Sequence, residues 1–226
     1  MSINSTPCKV TAVTAASPSR PRGRRATRPS GDERESAILD TLERMLEQRP
    51  FSEISVDDLA KGAGLSRPTF YFYFASKEAV LVRLFERMTA ATDPAAQQSA
   101  GPKAADNPEL FWRNGIFAFF AALRPHRNVA VAGLTAMASS PELRQLWSRF
   151  MTAWIDHTAE LIEAERARGA APDTIPARDL ATALNLMNER VVFASQGDQQ
   201  PTLPEDAALD AVAHVWVTSI YGSTQA

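Results

Sequence analysis

Apolar residues first recur at Ala37, Ile38, Leu42, Met45 and Leu46. That spacing lays an apolar stripe along one face of a helix that begins near Asp32 and stops at Pro50. Ser55, with Asp58 three residues on, is a helix N-cap signal and predicts a short helix over about Val56 to Lys61. Gly62 and Gly64 bracket a tight turn. Ser66 is a second N-cap, and Pro68 falls early in the following helix, where its missing N–H is harmless. The run Phe70-Tyr71-Phe72-Tyr73-Phe74 has strand propensity. It lies between two caps, Ser66 and Ser76, about ten residues apart, and that arrangement favours a short helix. A longer helix follows through Val80, Leu81, Leu84, Phe85 and Met88, ending before Pro94. Residues 93–108 read as a loop. Pro-bounded segments at about 108–123, 126–139, 141–168, 176–196 and 204–221 each have helical spacing. Val215 to Ile220 has strand propensity, but the unbroken segment from Pro204 suits a helix. The predicted fold class is all-α.

Charge changes this picture. The formal net charge of the 226 residues is -2, which taken as an average argues against a nucleic-acid binder. The distribution is uneven, however. Residues 1–30 hold six of the 24 basic residues and no acidic one, leaving 18 basic against 26 acidic in 31–226. Residues 1–31 are rich in Ser, Thr, Pro, Ala and Arg without apolar period and are expected to be a disordered arm. Its core, RPRGRRATRP, is either a solubilising tail or an arm that holds DNA through residues such as Arg24 and Arg25. Residues 31–90 carry 8 basic and 11 acidic residues. The phosphates of a DNA partner would therefore find little positive charge outside the arm. Cys8 is the only cysteine, so no intramolecular disulfide or CxxC pair exists. No apolar run is long enough to cross a membrane, and the N-terminus lacks a secretory apolar segment. The expected location is the cytoplasm.

The first three predicted helices form a helix-turn-helix arrangement. Ala60 and Gly64 let two helices cross closely, while Leu59, Leu65 and Phe70 hold the second in place. The opposite face offers Arg67, Thr69, Tyr71 and Tyr73 to a groove. Ser66 and Ser76 cap helix N-termini, which attract anions, and Lys77 adds a charge for a phosphate. The stretch ISVDDLAKGAGLSRPTFYFYFASKEAVL, residues 54–81, resembles the DNA-binding signature of TetR-family transcriptional repressors. The resemblance implies phosphate contacts from Thr69, Tyr73 and Lys77, and base or backbone contacts from Ser66, Arg67 and Tyr71. Phe70, Phe72 and Phe74 are assigned mainly to the core, with Phe72 alternatively at the DNA face.

Beyond residue 108 the chain carries two aromatic stripes. Trp112, Ile116, Phe119, Phe120 and Leu123 share one helix face; Trp147, Phe150, Met151, Trp154 and Thr158 share another. Each stripe alone reads as core. Together they suit the lining of an elongated apolar cavity. Asn185 and Asn188 lie at i, i+3 on an otherwise apolar helix, and either brace a neighbouring helix or act as polar handles in a pocket. Residues 22–74, 146–172 and 179–195 resemble the ethionamide-resistance repressors, a branch of the TetR family. That branch implies a hydrophobic tunnel lined by Trp112, Phe119, Trp147, Met151, Trp154, Thr158 and Trp216, with Asn185 and Asn188 supplying hydrogen bonds. Leu123 and His157 depart from its pattern, which has Phe and Tyr there.

The resemblance further implies a homodimer through the last two helices, operator DNA as partner, a hydrophobic small-molecule effector and no cofactor. Its implied target is an adjacent gene for a flavin-dependent, ethionamide-activating monooxygenase. The expected organisation is a basic arm over 1–31, a DNA-binding domain over 32–76 and a ligand-binding and dimerisation domain over 77–226. His126, His157 and His214 lack metal-ligand spacing, and no GxSxG, GxGxxG or P-loop occurs. The chain therefore reads as a non-enzyme. An apolar-ligand carrier or enzyme with a vestigial helix-turn-helix is the alternative.

Overall fold

The computed structural model describes residues 30–90, 103–196 and 200–222. Residues 1–29 of the expected basic arm, with Arg24 and Arg25, lie outside the described residues, as does most of the expected 93–108 loop, while Ser30 and Gly31 cap and begin the first helix. The helices are α1 (Gly31–Leu46), α2 (Val56–Gly62), α3 (Arg67–Tyr73), α4 (Lys77–Ala90), α5 (Pro108–Leu123), α6 (Arg127–Ala136), α7 (Pro141–Ala167), α8 (Ala177–Gln196) and α9 (Glu205–Tyr221). Short 3-10 turns at Phe51–Glu53 and Arg124–His126 precede α2 and α6. Among the described residues there is no strand.

Local chemistry explains these boundaries. Ser30 and Glu33 form a reciprocal capping box at the start of α1: the Ser30 N–H donates to the Glu33 carboxylate at 2.6 Å, and the Glu33 N–H to the Ser30 hydroxyl at 3.2 Å. The aromatic run is helical through Tyr73, and Phe74 is extended. Burying Phe70 and Phe74 while Phe72 between them stays exposed needs the helical period, because a strand would place all three on one face. The same holds for α9, where Leu209, Val212, Trp216 and Ile220 are all buried on one stripe.

Helix α4 is where two halves of the molecule meet. It packs on α1 on one side and on α6 and α7 on the other. One apolar cluster accordingly runs without a break from Ile38 in α1 to Ile220 in α9. Around it, α7 packs on α8, and α9 lies against both α5 and α8. Ion pairs rim the α1–α4 seam. Arg87 reaches Asp40 at 3.0 Å and Glu43 at 2.8 Å, and His126 Nδ1 lies 2.5 Å from Glu43. Being partly exposed, such pairs are worth about 0–1 kcal/mol each. The buried α4 face carries the stability.

The closest approach is at Gly133 in α6. A Cβ there would stand 2.3 Å from the Phe85 ring of α4. Phe85 in turn lies 5.8 Å, centroid to centroid, from Trp147 of α7. Gly133→Ala is expected to push Phe85 off its seat and lower stability by about 1–3 kcal/mol in denaturant unfolding. Adding Phe85→Leu should recover part of that loss, whereas strictly additive losses would show that the two residues do not share the constraint.

Candidate functional site

The sequence-predicted DNA-binding residues lie on α2, α3 and the start of α4. Ser55 and Asp58 cap α2 reciprocally, and Arg49 pairs with Asp58 at 3.1 Å. The Ser55 hydroxyl and N–H, with Arg49 nearby, hold the Asp58 carboxyl below the usual range. At the turn, Gly64 has φ of +68°, a left-handed conformation that favours glycine. The Leu65 N–H donates to the Ala60 carbonyl at 2.8 Å, closing the end of α2. Leu59 and Phe70 are fully buried between the helices. The Ser66 hydroxyl caps α3 by accepting from the Thr69 N–H and lies 2.8 Å from the Thr69 hydroxyl. Arg67 is exposed; it donates to Asp57 at 3.1 Å and stacks its guanidinium 5.8 Å from the Tyr71 ring centroid. An exposed pair of this kind is weak and readily exchanged for a phosphate or base edge.

One assignment is corrected here, and another residue gains a structural role beside its expected one. Phe72 is 84% exposed and does not belong to the core. On α3 it points about 200° away from Phe70, so the helical period that buries Phe70 and Phe74 turns Phe72 outward beside Tyr71. Lys77 is not an unengaged ammonium awaiting a phosphate. Its Nζ donates to the carbonyls of Phe51 at 3.0 Å, Ile54 at 2.8 Å and Ser52 at 3.4 Å, and sits 4.7 Å from the Phe51 ring centroid. Those acceptors are carbonyls of the 3-10 turn and of Ile54 just after it, the Phe51 carbonyl also accepting from the Ile54 N–H at 3.2 Å, and they take all three ammonium donors. Lys77 therefore braces α4 against the chain that enters α2. Tyr73 and Thr69 are half-buried, and Tyr73 packs on the core.

The second set of residues converges behind α4. Trp112, Phe119, Trp147, Met151, Trp154, Thr158, Asn185, Asn188 and Trp216 are all buried. Ring contacts link them: Phe119 to Trp154 at 5.1 Å, Trp147 to Phe150 at 4.9 Å, and Trp112 to Trp216 at 5.7 Å. Their polar atoms divide into two kinds. Some are satisfied: the Trp112 N–H donates to the Tyr221 hydroxyl at 3.0 Å and the Trp147 N–H to Glu189 at 2.7 Å. Asn185 donates to Thr158 at 3.1 Å and to the Ala181 carbonyl at 2.9 Å. Others have no hydrogen-bond partner among the described residues, namely the indole N–H of Trp154, the indole N–H of Trp216 and the side-chain carbonyl of Asn188. Each such orphan costs about 1–3 kcal/mol. Of the two residues that spacing made equivalent, Asn185 braces α7 and Asn188 keeps an open acceptor.

Comparison with known proteins agrees with both halves of this geometry. Residues 38–84 match the family model for bacterial regulatory proteins of the tetR family. Residues 112–222 match the model for the C-terminal domain of the transcriptional regulator EthR. The chain belongs to the TetR family of transcriptional regulators. Over 216 residues, 96% of this chain and all of the relative, it is 56% identical to the HTH-type transcriptional regulator EthR of Mycobacterium tuberculosis. It is 53% identical to the EthR of Mycolicibacterium smegmatis over 212 residues, 93% of this chain and 97% of that relative. Among solved structures, a TetR-family regulator from a Rhodococcus species superposes with a TM-score of 0.66 at 17% identity, covering 83% of this chain and 99% of its own. The fatty acid degradation regulator FadR of Bacillus halodurans gives 0.60 at 17% identity, covering 89% and 99%. Those two comparisons speak to fold alone. The chain is thus an EthR-like, DNA-binding transcriptional regulator of the TetR family.

At the far end of the TetR-type core, Glu165, Arg168 and Tyr221 form a network with Trp112. Burial pushes the Glu165 carboxyl up, but the Arg168 guanidinium and Tyr221 hydroxyl more than offset it, leaving Glu165 below its ordinary value. The Tyr221 hydroxyl donates to Glu165 at 2.7 Å, and burial together with that bond pushes its pKa up to about 12. Sequence reasoning missed this network because no local signal ties Trp112, Glu165 and Tyr221 together.

Two outcomes follow for these residues. Lys77→Met should lower unfolding stability by about 1–3 kcal/mol, because three carbonyls lose an ammonium partner; a lysine that served only phosphates would leave stability unchanged. In an ultraviolet titration of the three tyrosines, one phenol should ionise near pH 12 and vanish in Tyr221→Phe. Since the folded pKa lies above the ordinary value of 10, the contribution of Tyr221 is complete below pH 10 and declines as pH rises toward 12.

Proposed function

We propose that this chain is a dimeric, ligand-responsive repressor. Residues 32–76 serve as its DNA-binding domain, residues 77–226 as its ligand-binding and dimerisation domain, and the arm over 1–31 as a contact to phosphates. Arg67, Tyr71 and Phe72 face the major groove, with Ser66, Thr69 and Tyr73 at its edge. Arg24 and Arg25 supply the positive charge that the acidic helix-turn-helix region lacks. An apolar effector enters the aromatic core. The observation that carries this reading is the set of orphaned atoms, one acceptor on Asn188 and two indole donors on Trp154 and Trp216, buried within one apolar cluster. A secondary amide with apolar arms offers an N–H to the first and a carbonyl to an indole.

Dimerisation through α8 and α9 is supported by Leu186 and Val215, which stand exposed on those helices at 50% and 39%. The effector acts by binding better to a dimer whose recognition helices are wrongly spaced for the operator. Binding to half-sites one DNA turn apart makes that spacing decisive. On the EthR resemblance, the controlled gene encodes an ethionamide-activating monooxygenase, and the protein works in the cytoplasm.

Fluorescence anisotropy with the chain's own upstream DNA should show nanomolar, salt-dependent binding, and a flatter salt slope after deletion of residues 1–29. Equal affinity for a scrambled duplex would favour an apolar carrier with a vestigial helix-turn-helix. With N-octylbenzamide as probe, Asn188→Leu should weaken release of operator at least tenfold while raising unfolding stability by about 1–3 kcal/mol. A variant that released DNA as the parent does would remove Asn188 from the ligand contact.

A further inference from the structure

We propose that the cleft between the DNA-binding end and the body of the chain is a second small-molecule site, separate from the aromatic core, for an apolar molecule bearing an amine. A cavity of about 500 Å³ opens there, a size typical of small-molecule sites. Its floor is apolar: Leu46 closes α1, Leu81 comes from α4, Ala132 from α6, Leu143 from α7, and Phe51 forms the wall on the 3-10 turn. The cavity therefore touches the α1–turn–α4 unit on one side and α6–α7 on the other, while the residues of the aromatic core do not line it.

The charges around it choose the ligand. Arg49 is answered within the DNA-binding end by Asp58 at 3.1 Å. Glu78 and Glu142 also line the cavity and are exposed. Among the described residues neither makes an ion pair; Glu142 accepts only from the Ser140 hydroxyl at 3.1 Å. An apolar pocket rimmed by two carboxylates without cationic partners suits a hydrophobic ammonium ion and disfavours an anionic one.

Occupancy there bears on the recognition helix through Phe51. The Lys77 ammonium holds the Phe51 ring and carbonyl, and Lys77 begins α4 four residues after the end of α3. A molecule seated on the Phe51 wall thus acts one contact away from the start of α4, which follows α3 by four residues.

Calorimetric titration of the full chain with 4-phenylbutylamine, 4-phenylbutanol and 4-phenylbutyrate tests the site. The amine should bind about tenfold more tightly than the alcohol, and the carboxylate least. The double variant Glu78→Gln with Glu142→Gln, both at exposed positions, should abolish the preference for the amine. Ala132→Trp should fill the cavity and remove amine binding. Asn188→Leu, which alters the aromatic core, should leave it unchanged. Equal binding of amine and alcohol, or a preference that survives the double variant, overturns the proposal. So does amine binding that persists in Ala132→Trp or disappears in Asn188→Leu. The titrations contain no DNA, so a failure of operator binding is read separately.

Discussion

The fold depends on one helix that joins both ends of a single apolar core. Helix α4 begins where the recognition helix ends and finishes inside the body of the molecule. At its start, Lys77 ties it to the backbone carbonyls of the 3-10 turn. Further along, Phe85 fills the space left by the missing side chain of Gly133 and reaches Trp147 in the aromatic core. Interiors packed this tightly deform little, and on the proposed mechanism a shift at Trp147 would reach α4 through Phe85. The same helix lines the cleft through Leu81 and Glu78, so it borders both the cleft and, through Phe85 and Trp147, the aromatic core.

The aromatic core shows where stability and function pull apart. A chain selected only for folding would fill the positions of Asn188, Trp154 and Trp216 with groups that leave no donor or acceptor stranded. Here three polar atoms are buried without partners among the described residues, in a mainly apolar interior, at a combined disadvantage of several kcal/mol on the usual scale. Asn185, three residues away, is held by Thr158 and the Ala181 carbonyl, so the helix can satisfy an amide when nothing else is asked of it. A local violation of packing rules beside a satisfied neighbour is characteristic of a site shaped for something other than folding.

Much of this was legible in the sequence because it is local. Serine caps at Ser55, Ser66 and Ser76, the glycine turn and the apolar stripes each act within a few residues, and the helices form where those signals predict them. The aromatic stripes likewise announced which faces turn inward. What escaped was settled at long range. Lys77 looked like a charge for phosphates because the three carbonyls that claim it lie 23 to 26 residues earlier in the chain. Phe72 looked like core because its neighbours Phe70 and Phe74 are, until the helical period is applied strictly to all three. Asn185 and Asn188 were equivalent by spacing and are distinguished only by what α7 presents to each. The cleft is built from four separated segments and has no sequence signature.

The central claim is that a molecule in the aromatic core changes the distance between the two recognition helices of a dimer. Pulsed electron paramagnetic resonance measures that distance directly. Spin labels placed at the exposed Lys61 through Lys61→Cys, in a Cys8→Ser background, report one interhelix separation across the dimer. Bound to operator, the dimer should give a narrow distribution, and N-octylbenzamide should move the protein to a different separation in the parent but not in Asn188→Leu. An identical distribution with and without the amide, at concentrations that release the operator, would contradict the account.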